Sequence, residues 1–597
     1  MFVRAAAAAL AVAFSARADA PGAPAARPHI TLAPRPAATP AAAVTTGPIL
    51  RPRVPASPKA IEGFADFHLH QVAELGFGGR YIWGGHDGDP KQVLRHCSGM
   101  GIDHGLMSGA EGGSGNLHPH SAGGFPDFGG WPRWNSTSHQ QAHADWLKHA
   151  HEQGLKLVVV SALNQDLFCE MIPLHLRNAK MPCDDFQAVV RQLEATHEFA
   201  KRHDWYVIVK SPAEARAVIE KGKLAVVLAV EAGNVLGEGK DWKARLEKLH
   251  ALGVRSLQPV HEVDNRFSGA SWHADAIKAL QTVENFTHIE KHVDAFVNNV
   301  VATFNKNINH PDRIPAAELA ATKKFASGMF GFTLDKHKLN AKGLSHEGEQ
   351  LLAEMMGKQM IVDVSHMSQK ALRQAHEVSG KHGHYPLFMS HAHIKELLAP
   401  EEITEWSYPS ELFDLVAETG GVIGLRSSPD EMRNVHGSPV QNDCHGSTKS
   451  FAQIVYYAEK LLGLQIGYAT DFNGWAKNLM PRFGARGETC AGSGYDAESI
   501  VQMARQHGPS GSSLDKKGFA HIGLIGDLDK ELTRLGAPTD GLHRSAESFV
   551  KMWERGLDAH RPALPKRNSA HAAVAQVAPY EKNGAKKIAA LAKAPAK

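Results

Sequence analysis

Six apolar runs of the sequence each end in a side chain that can bind a metal ion. The terminal residues are His68 and His70 together, Glu231, His261, His366, His391 and Asp471. Taken singly, each is more often a hydrogen-bonded strand end than a ligand, because buried polar groups nearly always find such partners. Their recurrence at the ends of six runs indicates instead that these side chains share one site.

The chemistry of this set is that of a metal centre. In a strand, residues two apart point to one face, so His68 and His70 could reach a single ion, although this spacing also fits a polar loop end. Several buried imidazoles and two carboxylates would be costly unless a cation held them, and zinc accepts both kinds of donor. A carboxylate can bridge two ions, and paired metals about 3.5–4 Å apart suit the hydrolysis of an amide or ester.

The same runs predict the strands that must position these side chains. Val, Ile and Leu follow one another almost without interruption, which is typical of parallel strands buried on both faces, and helical stretches separate the runs. The sequence therefore predicts a (β/α)8 TIM-like barrel with long inserted loops, in which all strand C-termini open on one catalytic face. The candidate strands are 63–70, 101–108, 155–163, 224–231, 254–261, 359–366, 386–391, 420–425 and 464–471, with helices at 242–252, 369–378 and 450–462 among the crossovers.

Nine candidate strands compete for eight places in such a barrel. We therefore expect one of them, either 101–108 or 420–425, to lie outside it. The insertions predicted near 72–150 and 265–350 are longer than a crossover needs, and loops of this kind usually cover the active site.

The N-terminus has the organisation of a cleaved signal peptide. A short basic start, an apolar stretch too short to span a bilayer and the A-x-A sequence Ala16-Arg17-Ala18 assign residues 1–18 to it. An Ala/Pro-rich linker is predicted for 19–58, the barrel for 59–560 and a flexible Ala/Lys-rich tail for 561–597. We expect an exported protein, periplasmic or secreted, with no transmembrane segment.

Composition restricts the partners and the cysteine chemistry. The net charge of +3 is spread among interspersed acids and bases, which favours neither nucleic acid nor a polybasic membrane face as a partner. Export permits disulfides, and proximity in sequence favours Cys169 with Cys183 and Cys444 with Cys490, while the odd total leaves at least one cysteine unpaired. The sequence leaves the oligomeric state open, and a homodimer is among the states it allows.

In their order, the motifs resemble those of the membrane (renal) dipeptidase family of the amidohydrolase superfamily. That pattern includes an early H-x-D, a strand ending in Glu, a strand ending in His with a downstream Asn, a D-x-x-H-x-S segment, an S-H-S-like segment and a late D-F-D-G. The counterparts are His68/His70, Glu231, His261 with Asn265, Asp363-Val-Ser-His366-Met-Ser368, Ser390-His391-Ala392 and Asp471-Phe-Asn-Gly474. The match spans most of the folded unit, and its segments at 361–368 and 386–393 are the most specific.

This resemblance implies a role for each site residue in the cleavage of a dipeptide or similar small amide. Of two divalent metal ions, zinc for preference, the first is bound by His68 and His70 and the second by His366 and His391, with Glu231 as the bridge. Asp471 sits beside the first ion, accepts a proton from the bridging water, which attacks as a metal-bridged hydroxide, and passes the proton to the leaving amine. His261, with Asn265 near it, binds the substrate and stabilises the carbonyl oxygen. Asp66, Asp363 and Ser390 are expected to support the ligands.

Two departures from the family pattern bear on the substrate. His70 stands where the family has Asp, and the arginine expected for the substrate carboxylate is absent between residues 394 and 403, which leaves Lys395 or Arg426 to replace it. A lactonase or esterase of the same superfamily and a non-catalytic metal-binding barrel are therefore alternatives to a dipeptidase. The presence of Asp471 and Glu231 argues against the last, because storage of metal needs no proton shuttle.

Overall fold

The computed structural model describes residues 59–97, 132–170, 180–272, 339–400, 402–430, 432–482 and 518–580, together with residues 178 and 514. The predicted signal peptide and linker, residues 1–58, lie outside the described residues. So do 98–131 and 273–338, which belong to the predicted insertions, and the end of the predicted tail from 581 onward.

Eight parallel strands close into a barrel, which confirms the predicted (β/α)8 architecture. The chain forms β1 (Phe64–Leu69), β2 (Leu155–Asn164), β3 (Tyr206–Ile208), β4 (Leu224–Ala232), β5 (Val254–Leu257), β6 (Ile361–Asp363), β7 (Leu387–Ile394), β8 (Ser407–Tyr408), β9 (Ile423–Arg426) and β10 (Ile466–Ala469). The ring runs β1, β2, β4, β5, β6, β7, β9, β10 and returns to β1 where Asp66 pairs with Tyr468. Among the described residues, β3 pairs only with β4, and β8 only with β7.

The surplus strand candidate is thereby resolved in part. The run at 420–425 is confirmed as barrel strand β9, and the run at 101–108 lies outside the described residues. The two short strands β3 and β8 had no sequence signal, because two or three residues are too few to show a period.

Helices connect the strands in the alternation that a parallel barrel requires. The α-helices are Pro90–Val93, Ala144–Glu152, Asp166–Glu170, Asp185–Arg202, Pro212–Glu220, Trp242–Ala251, His346–Gly357, Gln369–Lys381, Ser410–Glu418, Thr448–Tyr456, Ile525–Arg534, Asp540–His543, Ser545–Leu557 and Ser569–Val574. The three predicted crossovers are confirmed, the last as Thr448–Tyr456 continued by a π turn at Tyr457–Leu461. Several helices begin at a capping serine, as where Ser368 accepts from the backbone N–H of Ala371. No helix of the described residues is long and apolar enough to cross a membrane.

An apolar cluster fills the barrel below its C-terminal mouth. Ala65 and Phe67 of β1 pack with Val227 of β4, and Phe549 and Trp553 of the helix Ser545–Leu557 belong to the same cluster. Each large side chain that is fully buried in this way contributes roughly 1.5–3 kcal/mol to stability. The polar strand ends therefore lie above a well-packed apolar cluster.

Irregular strand pairing lies beside the polar side chains of two strands. The pairing of β1 with β2 shifts register between Asp66 and Leu69, next to His68 and His70, which both reach the site, while Phe67 belongs to the apolar cluster. The pairing of β7 with β9 shifts in the same way between Met389 and Ala392, around His391.

Backbone turns in the left-handed region serve two further site residues. His366 has φ 62° and Asp471 has φ 53°, each just beyond the end of its strand. Such conformations are uncommon for residues other than glycine and concentrate at functional sites. β4, in contrast, keeps regular pairing with β2 through Glu231, which lies opposite Leu163.

The cysteines and the C-terminal segment add constraints outside the barrel. The predicted pair Cys169–Cys183 is confirmed as a disulfide, whereas Cys490, the predicted partner of Cys444, lies outside the described residues. Cys97 is buried. Residues 561–580, which the sequence analysis placed in the tail, include the helix Ser569–Val574 and an ion pair of 3.2 Å between Arg567 Nε and Asp414 Oδ1.

Candidate metal centre

Glu231, at the end of β4, lies at the centre of the polar cluster. Its Oε2 is 2.7 Å from His68 Nε2 and 3.2 Å from His70 Nε2. The same His70 Nε2 is 3.2 Å from Asp471 Oδ1. One oxygen of Glu231 thus faces the side of the site formed by β1 and the end of β10.

The other oxygen of Glu231 faces three imidazoles on the opposite side. Glu231 Oε1 is 3.0 Å from His366 Nε2, 3.2 Å from His261 Nε2 and 3.7 Å from His391 Nε2. The Nε2 atoms of His366 and His391 are 2.9 Å apart. The structure therefore brings together all seven side chains that the sequence analysis placed at metals or, for His261, at the substrate.

The donor atoms form sets that fit divalent metal ions. Three overlapping groups have their donors within 4.8 Å of one another: His68, His70 and Asp471; His68, Glu231 and His391; and Glu231, His261 and His366. His68 Nε2 and Glu231 Oε2 are both buried and make no hydrogen bond within the described part of the chain, although they are only 2.7 Å apart. A metal ion held by both atoms would satisfy them, so these residues fit the metals that the family resemblance implies.

Hydrogen bonds on the far side of two rings fix which nitrogen faces the centre. His70 Nδ1 lies 3.0 Å from the carbonyl oxygen of Ser161, to which it donates, so Nε2 is the nitrogen that faces the site. His391 Nδ1 lies 2.9 Å from Ser390 Oγ. Ser390, which was expected to support the ligands, thus contacts the ring of His391.

Two buried carboxylates hold the strand ends in place, as expected for Asp66 and Asp363. Asp66 accepts hydrogen bonds from the backbone N–H groups of His68 and Thr470 and, at 2.6 Å, from the Thr470 hydroxyl. Asp363 accepts from the backbone N–H groups of Ser365 and Ser390. Burial raises the pKa of Asp66 to about 6 in spite of these hydrogen bonds. Each carboxylate thus joins two neighbouring strands at the level of the site.

Burial and mutual charge divide the cluster into charged and neutral members. Burial alone would lower the pKa of His70, but the neighbouring carboxylates of Asp471 and Glu231 raise it to about 10. Burial would raise the pKa of Glu231, but the surrounding imidazoles hold it well below its usual range. Burial keeps the pKa of His366 and of His391 below the usual value. Metals bind carboxylate and neutral imidazole, so His70 would release its proton on binding an ion.

Arg426, at the end of β9, lies beside Asp471. Its Nε is 3.1 Å from Asp471 Oδ2, and its Nη1 is 3.4 Å from His393 Nε2. His393 in turn contacts Asp430, with 2.8 Å between Nδ1 and Oδ2. Burial would raise the pKa of Asp471, but a hydrogen bond from His70 and the charge of Arg426 lower it. Of the two cationic residues left open by the sequence, Arg426 is at the site and Lys395 is exposed.

Asn265 does not have the substrate-binding role that the sequence analysis gave it. Its Nδ2 donates to the carbonyl oxygens of Gly233 and Pro259, and its Oδ1 accepts from the backbone N–H groups of Phe267 and Ser268. The amide has no capacity left for a substrate. The residue instead shapes the loop that follows His261.

Sequence analysis missed several side chains around the centre. Glu262 Oε1 lies 3.5 Å from His261 Nε2. The indole of Trp406 stacks on His366 with 5.0 Å between ring centroids. Glu262 follows a strand-end residue, and Trp406 lies away from the strand ends. The pattern of apolar runs ending in a polar residue therefore could not find either of them.

The segment after Asp471 is also part of the site. Asn473 Nδ2 donates to the carbonyl oxygen of His70, and Asn473 Oδ1 accepts from the backbone N–H of Gln141 in a predicted insertion. A Cβ on Gly474 would lie 2.0 Å from Asp471 Oδ1, so only glycine fits there without displacing that carboxylate.

Solved structures with a similar fold include three bacterial proteins. An amidohydrolase from Pseudomonas aeruginosa is 15% identical, with TM-score 0.40 over 69% of this chain and 91% of that one. The probable dipeptidase PvdM from Pseudomonas aeruginosa is 16% identical, with TM-score 0.36 over 68% and 87%. A metallo peptidase from Rhodobacter sphaeroides, liganded with a phosphinate mimic of the dipeptide L-Ala-D-Ala, is 14% identical, with TM-score 0.35 over 66% and 90%. No curated protein matches the chain.

The family is shown by the sequence model of the membrane dipeptidases, peptidase family M19. It matches residues 132–294 and 317–480, which is more than half of the chain. The matched residues include Glu231, His261, His366, His391 and Asp471. The chain therefore belongs to the membrane dipeptidase family and is a metal-dependent hydrolase.

Proposed function

We propose that the protein is an exported dipeptidase that holds two divalent cations, with zinc as the first choice, on either side of Glu231. The observation that carries the proposal is the division of donors between the two oxygens of that carboxylate. Oε2 faces His68 and His70, and Oε1 faces His366 and His391, with distances of 2.7–3.7 Å. A carboxylate buried between two such groups is suited to bridge two ions.

Two divalent cations there would polarise the scissile carbonyl and lower the pKa of a water molecule between them. Asp471 Oδ1, next to His70, is placed to accept a proton from the attacking water and to give it to the leaving amine nitrogen. His261 Nε2 is placed to donate a hydrogen bond to the carbonyl oxygen as negative charge develops on it. Arg426 orients Asp471 by occupying Oδ2, which leaves Oδ1 directed to the centre.

Metal removal tests the proposal directly. We expect the purified protein to contain about two zinc ions per chain, and we expect chelation to abolish dipeptide hydrolysis until zinc is restored. The measurements are elemental analysis and turnover of a dipeptide panel with and without chelator. A panel of lactones and esters measured in parallel separates the dipeptidase from the lactonase or esterase. Metal content near zero, or turnover of lactones alone, would contradict the proposal.

Arg426 is expected to bind the carboxylate of the leaving residue. Its guanidinium adjoins Asp471, so it stands where the leaving amine and the carboxylate two bonds beyond it would arrive. An Arg426→Met substitution should raise KM for alanylalanine by about 10–100-fold, since a hydrogen bond to a charged group contributes about 1.5–3 kcal/mol. Alanylalanine amide, which has no carboxylate, should show a much smaller change in KM.

Lys395 provides the control for Arg426. It is the other cation that the sequence left open, and its side chain is exposed. Lys395→Ala should leave KM for alanylalanine unchanged. An increase in KM for Lys395→Ala but not for Arg426→Met would reverse the assignment.

Export is supported by the leader-like residues 1–18 and by the Cys169–Cys183 disulfide, because such bonds persist mainly in oxidising compartments. We expect a bacterial host to export the full chain and to cleave it after Ala18, so that the mature protein begins at Asp19. N-terminal sequencing of protein from the periplasm or medium checks this. Recovery of the chain only from the cytoplasm, with Met1 retained, would oppose it.

A further inference from the structure

The segment that follows the helix Ser545–Leu557 lies across the outside of the barrel. This segment, residues 559–578, is termed here the C-terminal strap, and it contacts both the turn before β7 and the loop after β9. The family match ends at residue 480, so the strap lies beyond the matched sequence. The family match therefore assigns the strap no role.

The strap begins near the N-terminal end of the barrel. Arg561 Nε donates to the carbonyl oxygen of Gly383, in the turn before β7, at 3.0 Å. Further along the strap, the backbone N–H of Ala570 donates to Asp414 Oδ2 of the helix Ser410–Glu418, also at 3.0 Å. These contacts anchor the strap below the mouth of the barrel.

The strap ends at the loop that follows β9, on the mouth side of the barrel. Two backbone hydrogen bonds, of 2.9 and 2.8 Å, flank an antiparallel bridge between Val577 and Val435. In the first of them, the N–H of Ala578 donates to the carbonyl oxygen of Asn434. The end of the strap thus pairs with the edge of this loop as a short strand would.

The same loop carries the carboxylate that supports Arg426. An arginine can only donate hydrogen bonds, so Arg426 Nη1 donates to His393 Nε2, 3.4 Å away. His393 Nδ1 in turn donates to Asp430 Oδ2 at 2.8 Å. Arg426 stands at the start of this loop, Asp430 follows it, and the pairing with the strap at Val435 comes next. The strap therefore holds one side of the loop that orients Arg426.

We propose that the C-terminal strap is a positioning segment, which fixes the loop after β9 so that Asp430 and His393 direct Arg426 toward the substrate carboxylate. This inference rests on the proposed function, in which Arg426 binds that carboxylate, and extends it to a segment outside the barrel. In this assignment the strap acts through Arg426 alone. Its effect should therefore fall on KM for substrates that have a carboxylate and spare the proton transfer by Asp471.

The experiment removes one hydrogen bond between the strap and the loop. In Ala578→Pro, the residue has no backbone N–H to donate to Asn434. In the zinc-loaded full-length protein, KM for alanylalanine should rise about 2–10-fold, the range expected for the loss of one hydrogen bond. KM for alanylalanine amide, which has no carboxylate, should stay at the wild-type value, and kcat for both substrates should be nearly unchanged.

Combination with Arg426→Met tests whether the strap acts through Arg426. The double variant Arg426→Met/Ala578→Pro should have the same KM for alanylalanine as Arg426→Met, because the side chain that the strap positions is gone. If the two increases in KM multiply in the double variant, the strap acts on KM by another route and the proposal is wrong.

Arg561→Met is the matched control within the strap. It weakens the anchor at Gly383 and leaves the pairing of Val577 with Val435 intact. We expect a lower Tm and a wild-type KM for alanylalanine. An increase in KM as large as that in Ala578→Pro would show a general disturbance of the barrel and would contradict the positioning role.

Val577→Ala is the second variant, for the case that Ala578→Pro does not fold. It keeps every backbone hydrogen bond of the strap and shortens the side chain that lies opposite Val435 in the bridge. KM for alanylalanine should again rise while KM for the amide does not, by a smaller factor than in Ala578→Pro.

Each outcome separates the inference from the function beneath it. Equal increases in KM for both substrates, or no increase in the strap variants, contradict the role of the strap while the dipeptidase stands. An unchanged KM for alanylalanine in Arg426→Met contradicts the assignment of the carboxylate to Arg426, and the role of the strap falls with it. A zinc-loaded wild-type protein that cleaves no dipeptide contradicts the proposed function itself.

Discussion

Asp471→Asn is expected to lower kcat for dipeptides by about 10²–10⁴-fold, the contribution that general acid–base groups typically make. Asp471 Oδ1 lies 3.2 Å from His70 Nε2, at the centre, and the amide that replaces it cannot accept and release a proton. Asparagine also tolerates the left-handed backbone at this position, where φ is 53°, so the fold should be retained. The measurement is kcat of the zinc-loaded variant, with metal content determined on the same sample.

Two comparisons make the Asp471 result specific to proton transfer. Asp430→Asn changes a carboxylate that contacts His393, at the far side of Arg426, and should alter kcat by less than about tenfold. Zinc content in Asp471→Asn should remain close to that of the wild type, because the His68, Glu231 and His391 donors are untouched. Retention of kcat within tenfold would remove Asp471 as the proton shuttle, and a parallel loss of zinc would make it chiefly a ligand.

The sequence predicted the barrel and most of the centre because both depend on burial. A buried parallel strand must be apolar along its length, so a histidine or acid at its end is conspicuous, as at Glu231 and His391. Several such strand ends along the chain then indicate one shared site at the mouth of the barrel, since all its parallel strands open on the same face.

What could not be predicted depends on irregular backbone or on loops. The alternation rule places His68 and His70 on one face but does not show the register shift between Asp66 and Leu69 in the pairing of β1 with β2. Asn265 matched a motif position, yet its amide is hydrogen-bonded to four backbone groups, three in its own loop and one in the loop after β4, which spacing does not show. Glu262 was not found because it lies in the loop after β5 and does not end an apolar run.

Glu231→Gln is expected to remove both metals, since one carboxylate oxygen faces each donor group. Residues that only orient ligands contribute about 10–100-fold to metal affinity, so a bridging ligand should contribute more than about 100-fold per ion. At a fixed zinc concentration well above Kd, a 100-fold weaker site loses about 2.7 kcal/mol of metal-linked stability. The increase in Tm on zinc addition should therefore shrink or disappear, together with dipeptide turnover.

The size of the metal loss in Glu231→Gln distinguishes two ions from one. Glu405→Gln is the control, because Glu405 is equally buried near the mouth but binds the backbone N–H of Asn340 and belongs to none of the donor groups within the described residues. If Glu231 bridges, zinc content should fall at both positions together, since the two ions share that carboxylate. If one ion remains at full affinity while the other is lost, Glu231 serves a single site, and the remaining ion must be held by imidazoles and Asp471 alone. That result would leave a hydrolase with one metal and would require the attacking water to be activated without a second cation.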